Sequence, residues 1–249
     1  MSGPPPSSVS TELPVPGRVL AVGAHPDDVE FGCGATLAKW ATSGCEVHHL
    51  VCTDGSKGSW DPQEDVTALV ARRQDEQRAA SRVLGGEGRV VFLGWTDGEL
   101  ASGLEQVGVV AEWIRRIKPD VVLGHDPWRR YRLHPDHRHA GFLVTDGIVA
   151  ARDPHFFPEH GLKPHRPEAL LLWEADEADH VEDASGFVDA KLGALLEHRS
   201  QFRSTMHIDD PEAVDEVDAF RSRVTERLVE HGRIGGLALG EAFKLVAKL

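Results

Sequence analysis

Between residues 18 and 124 the chain alternates short apolar runs, rich in β-branched residues, with longer segments of helical periodicity. This alternation confines it to a narrow class of folds. Residues 18–24, 46–53, 89–93 and 120–124 have the length and composition of buried strands. The segments between them read as helices. The first is Gly-rich at its start and closes at Ser43-Gly44, the second spans 66–84 and closes at Gly85-Gly86, and the third spans 104–117 with Val107, Val110, Ala111 and Ile114 on one face. A βαβαβαβ order predicts an α/β, Rossmann-like open sheet, mostly parallel, with helices on both faces. Right-handed crossovers and a fifth strand at 169–173 predict the strand order 3-2-1-4-5.

In that order the first and fourth strands are neighbours, and the direction of winding reverses between them. Ligands bind at such a switch point. The first strand delivers His25-Pro26-Asp27-Asp28 to it. The fourth delivers His125-Asp126-Pro127-Trp128 and then His134-Pro135-Asp136-His137. Adjacent carboxylates repel and resist burial unless they are paired, hydrogen-bonded or bound to a cation. His25 and Asp28 suit two positions of a catalytic metal site, with Asp27 left free as a base. His134 and His137, three residues apart, face one side of a first helical turn, one for metal and one for substrate. Asp136 is placed to orient an imidazole. The first motif taken alone also suits a helix N-cap; the convergence of both motifs on one crevice favours the metal.

Composition narrows the partners. A net charge of −13 over 249 residues argues against nucleic acid and against anionic membranes. No apolar run approaches the ~20 residues of a membrane span. Cys33, Cys45 and Cys52 are odd in number and not in a Cys-x-x-Cys arrangement, so they read as buried thiols in a reducing compartment. No secretory pattern opens the chain, and a cytoplasmic location is expected. Residues 1–17, rich in Ser and Pro, read as a flexible tail, and 18–249 as a single domain. The loop at 54–60 is expected to border a pocket, and the Pro- and His-rich stretch 151–167 to form one of its walls. Further helices are expected at 188–199 and 211–230, with the segment after Ile234 packed back on the body. Arg73 falls on the charged face of the second helix, where a solvated lattice of ion pairs is the ordinary outcome.

Taken together, Val22 to Glu30 with Gly32-Cys33-Gly34, Thr53-Asp54-Gly55, Arg73-x-x-Glu76, His125-Asp126-Pro127 and His134-Pro135-Asp136-His137 resemble the signatures of the PIG-L/LmbE family of zinc-dependent N-deacetylases, in the family's order. The resemblance implies His25, Asp28 and His137 as zinc ligands and Asp27 as general base. It implies His134 as the group that stabilises the oxyanion or protonates the leaving amine. Asp136 is implied as the partner of a motif histidine, and Arg73 and Asp126 as substrate contacts. Zinc is the implied cofactor, and iron or another divalent ion suits the same ligands. The implied substrate is a small N-acylated molecule, an amino sugar or glycoside, with a thiol conjugate or natural-product amide as the alternative. Homo-oligomerisation stays open. A non-catalytic, Rossmann-like nucleotide-binding module is the reading of another class, although Gly32-x-Gly34 fits the dinucleotide fingerprint poorly.

Overall fold

A computed structural model gives the fold of residues 9–249. Five parallel strands form the centre of the sheet: β2 (Arg18–Gly23), β3 (Glu46–Thr53), β4 (Val90–Trp95), β5 (Val121–His125) and β6 (Ala169–Trp173). Their order, β6-β5-β2-β3-β4, is the expected one. Side chains alternate across each strand, so Leu20 and Val22 face one layer while Val19 and Ala21 face the other. The first layer packs on α3 (Leu104–Ile117) and α4 (Pro135–Arg152) through Val110, Ile114, Leu143 and Ile148. The second packs on α1 (Asp28–Thr42) and α2 (Val66–Val83) through Leu37, Trp40 and Ala80. Cys33, Cys45 and Cys52 are buried free thiols. Among the described residues, no helix is long and apolar enough to cross a membrane.

Beyond β6 the sheet continues, which the expected five strands did not include. β8 (Gly240–Ala247) runs antiparallel between β6 and β7 (His180–Asp183), and β1 (Ser10–Thr11) pairs with β7 at the edge. α6 (Val214–Ile234) packs on β7 and β8, while α5 (Val188–Leu196) packs on α1 and α2, and the two helices share an apolar cluster of Leu192, Leu195, Phe220 and Val224. The segment after Ile234 therefore packs back as a full strand. The N-terminal tail also needs correction. Residues 1–8 lie outside the described residues, but 9–17 are tied down. Ser10 Oγ meets His180 Nδ1 at 2.9 Å, and the Leu13 amide donates to Glu182 at 2.7 Å.

The stretch 151–167 is not a pocket wall. It lies against α3, where buried Arg115 (2% exposed) donates to the carbonyls of Ala150, Ala151, Asp153, Phe156 and Phe157 at 2.8–3.2 Å. His165 reaches the Pro119 carbonyl at 2.7 Å, beside the amino end of β5 and away from the crevice. One guanidinium thus satisfies a loop that has little regular structure of its own. Arg115→Met is expected to lower stability by about 3–5 kcal/mol, since it leaves several buried carbonyls unpaired. Urea denaturation checks this, and a loss below about 1 kcal/mol would mean that the loop is held by other contacts.

Candidate active site

β2 ends at Gly23 and the chain turns through His25 and Pro26 into α1. Asp27 sits in the left-handed region (φ 106°), a costly conformation for a residue with a side chain. Three contacts hold it there. The Asp27 amide donates to Gln77 Oε1 at 2.9 Å, while Arg73 donates to Pro26 O at 2.7 Å and to Gly55 O at 2.8 Å. Asp27 makes no capping bond to α1, nor does His134 to α4. The capping account of these motifs therefore finds no support at the helix ends.

β5 lies beside β2, and α4 begins just beyond it, so the second motif meets the first. His25 Nδ1 is 3.3 Å from Asp28 Oδ2, Asp28 Oδ1 is 3.3 Å from His137 Nε2, and the two imidazole nitrogens are 3.2 Å apart. The far nitrogen of His25, Nε2, lies 3.1 Å from both Asp136 and Asp97. Burial alone would lower the His25 pKa, but Asp136, Asp28 and Asp97 outweigh it and raise it well above the ordinary value, so both ring nitrogens face carboxylates as donors. Asp136 is fixed in turn by the amides of Gly98 (2.6 Å) and Leu100 (3.2 Å). Among the described residues, three overlapping sets are spaced to hold a metal: His25/His134/His137, Asp28/His125/His137 and His25/Asp97/Asp136. All of them include His25 or His137; the trio His25, Asp28 and His137 is not itself one of the three but joins the first two, which share His137.

The charges fit this crowding. Burial alone would raise the Asp28 carboxyl, but His125 and His25 beside it outweigh burial and hold it well below the usual carboxylate range. Burial pushes Asp27 up to about 6, against the pull of Arg73, whose Nη2 lies 3.5 Å from Asp27 Oδ2. His134 is exposed at the start of α4; its ring stacks on His137 at 4.7 Å and meets His25 edge-on at 4.6 Å.

A cavity of about 560 Å³ opens over this cluster. Its walls include Lys57 and Gly58 from the loop after β3 and Arg132 from the loop after β5. The half of the chain least informative in sequence adds Trp173, Gln201, Leu228 and Glu241. Arg73 borders the cavity yet is 3% exposed, its guanidinium engaged beneath the Pro26-Asp27 turn. It is therefore not part of a solvated lattice. Asp126 does not line the cavity. Its carboxylate accepts the Trp128 amide at 2.9 Å and shapes the turn after β5, so the reading of Asp126 as a substrate contact is withdrawn. Gly32 and Gly34 cradle no phosphate either. A Cβ on Gly32 would come within 2.5 Å of the Trp173 ring, and one on Gly34 within 3.2 Å of Lys191, so close packing accounts for both.

Three further residues shape the site, and the sequence assigns none of them a role. His125 accepts the Trp173 indole N–H at 3.0 Å on Nδ1, leaving Nε2, 3.2 Å from Asp28, as the donor. Asp97 shares His25 with Asp136. Gln77 holds the Asp27 amide. His125 ends β5, where strand topology already places it at the crevice, and Asp97 follows β4, where the same topology points; Gln77, in mid-helix, carries no such signal.

Comparison with known proteins identifies the family. The family model described as PIG-L, GlcNAc-PI de-N-acetylase, matches residues 20–148, a span that holds both motifs. The diacetylchitobiose deacetylase of Thermococcus kodakarensis is 36% identical over 188 residues, covering 74% of this chain and 70% of that protein. The 1D-myo-inositol 2-acetamido-2-deoxy-alpha-D-glucopyranoside deacetylase of Streptomyces avermitilis is 34% identical over 225 residues, covering 80% and 74%. The structure of N,N'-diacetylchitobiose deacetylase from Pyrococcus horikoshii superposes with a TM-score of 0.83 at 28% identity, over 93% of this chain and 84% of that one. With the motif order, the switch-point cluster and two relatives above 30% identity in agreement, the chain belongs to the PIG-L family of de-N-acetylases.

Proposed function

We propose that this chain is a zinc-dependent N-deacetylase that hydrolyses the acetamide of a small N-acetylated amino sugar, with residues 18–249 acting as one catalytic unit. The observation that carries the reading is the metal triangle of His25, Asp28 and His137: the nitrogens His25 Nδ1 and His137 Nε2 lie 3.2 Å apart, and each is 3.3 Å from an Asp28 oxygen, Oδ2 for His25 and Oδ1 for His137. A nitrogen–nitrogen edge of that length belongs to a tetrahedron whose arms are about 2.0 Å, the length of zinc–nitrogen bonds. A cation bound among these groups would take the place of the proton that His25 shares with Asp28, since metal binding deprotonates its ligands. The donor set therefore fits a small divalent ion. When bound, such an ion lowers the pKa of water and polarises an amide carbonyl.

The chain supplies the remaining chemistry. Asp27, next in sequence to a metal ligand but not part of the triangle, takes a proton from the attacking water. His134, across the cluster, faces the oxygen on which negative charge builds and steadies it. The C–N bond breaks, the nitrogen receives the proton, and acetate and a free amine depart. Asp136 and Asp97 keep the His25 ring in the ligating orientation. The amino-sugar class is supported by the names of the relatives, and a cavity of about 560 Å³ has room for more than a single acetamide.

The test is release of acetate from N,N'-diacetylchitobiose and N-acetylglucosamine by protein stripped with a chelator and then reloaded with zinc. Activity that disappears on stripping and returns on reloading supports the proposal. Activity unaffected by stripping, or zinc-loaded protein inert on every N-acetyl amino sugar offered, overturns it.

A further inference from the structure

α1 is broken. At Cys33 the backbone leaves the helical region (φ −149°, ψ 22°), which separates a first turn carrying Asp28 from a longer piece ending at Thr42. Such a break strands carbonyls at the end of one piece and amides at the start of the next. Two side chains from distant parts of the sequence take both sets. Lys191 Nζ, on α5, donates to Glu30 O at 2.9 Å and to Phe31 O at 2.7 Å. Glu241, on β8, accepts the Ala35 amide at 3.0 Å and the Thr36 amide at 2.7 Å. The two side chains meet at 2.6 Å. The bond from Phe31 O to the Ala35 amide that an unbroken helix would contain is replaced by a relay through an ammonium and a carboxylate.

Lys191 is 3% exposed and Glu241 1%. A buried ion pair is a poor way to gain stability, since apolar residues of equal volume often do as well. Apolar residues cannot terminate two helix ends, however. What this pair adds is geometric: it sets where the first turn of α1 stands relative to the rest of the helix and to β8.

We propose that Lys191 and Glu241 are positioning residues for the active site, fixing the turn that carries Asp27 and Asp28 against His25 and His137. The inference rests on the function proposed above, in which Asp28 holds the metal. Neither side chain belongs to the metal triangle. Both border the cavity, so direct contact with substrate is the rival account, and KM discriminates between the two.

The experiment compares wild type with Glu241→Gln, Lys191→Arg and the charge-balanced double variant Lys191→Met/Glu241→Leu. Hydrogen exchange is followed across residues 28–36, zinc affinity by competition with a chromogenic chelator, and kcat and KM by acetate release. The double variant, still melting cooperatively, is expected to exchange about tenfold faster in that segment alone. It should bind zinc about 10- to 100-fold more weakly and lose kcat with KM little changed. Lys191→Arg, which keeps the donors, should stay within about threefold of wild type in kcat. Exchange and zinc affinity within about twofold of wild type in the double variant would overturn the inference, as would an effect on KM alone. Should the double variant fail to fold, Glu241→Gln, which keeps the volume and one acceptor, carries the same readouts. A wild type that binds no zinc would refute the proposed function instead, and exchange across 28–36 would then decide the positioning role by itself.

Discussion

Replacing Asp27 with asparagine is expected to lower kcat/KM for deacetylation by about 10²- to 10⁴-fold, the range over which a positioned general base contributes. The substitution suits this position. Asparagine is nearly the size of aspartate, and it tolerates the left-handed backbone (φ 106°) better than other residues with side chains. The backbone contacts that hold the turn, from the Asp27 amide to Gln77 Oε1 and from Arg73 to Pro26 O, do not involve the carboxylate. The Asp27 side chain is also no side of the metal triangle. Zinc content should therefore equal that of wild type, and the far-UV spectrum should be unchanged. An Asp27→Asn protein with full metal and more than about a tenth of wild-type activity would remove Asp27 from the role of base.

The sequence was most legible where one physical rule acts on many residues together. Strand and helix periodicity from 18 to 124 predicted the central order β4-β3-β2-β5-β6, because alternating burial imposes a period that few other arrangements share. The switch point follows from that order and brings His25-Pro26-Asp27-Asp28 beside His134-Pro135-Asp136-His137, while the choice of His137 as the third ligand comes from the family resemblance. Legibility failed where single contacts decide. β7 has one apolar residue among His180, Val181, Glu182 and Asp183, too little for a strand pattern, and it exists because β8 pairs with it. Arg73 falls in a charged stretch of α2 and reads as solvated; its burial depends on the carbonyls of Pro26 and Gly55, which come from other turns. Asp126 stands in a motif beside the site yet turns its carboxylate to the next loop. The stretch 151–167 has the composition of a pocket wall, and a single guanidinium holds it toward the opposite end of the sheet from the crevice.

His137→Ala separates the metal from the fold, and it is expected to abolish deacetylation. Loss of a direct ligand should weaken zinc binding by more than the 10- to 100-fold typical of outer partners, roughly beyond a hundredfold. The fold should tolerate it. His137 lies on the first turn of α4 and is only partly buried, and the apolar residues that anchor α4, Leu143, Val144 and Ile148, lie further along the helix. Melting curves with added zinc make the distinction quantitative. A ligand at 100 times its Kd stabilises the native state by about 2.7 kcal/mol. For a chain of this size that corresponds to roughly 5–10 °C in Tm. Wild type and Asp27→Asn should both show this rise, the first active and the second not, while His137→Ala should melt near the metal-free wild type and show no rise on adding zinc. If His137→Ala rose as much as wild type, the ion would be held elsewhere. The sets His25/His134/His137 and Asp28/His125/His137 would be excluded with the proposed triangle, because all three need the same imidazole, and His25/Asp97/Asp136 would be left as the candidate among the described residues.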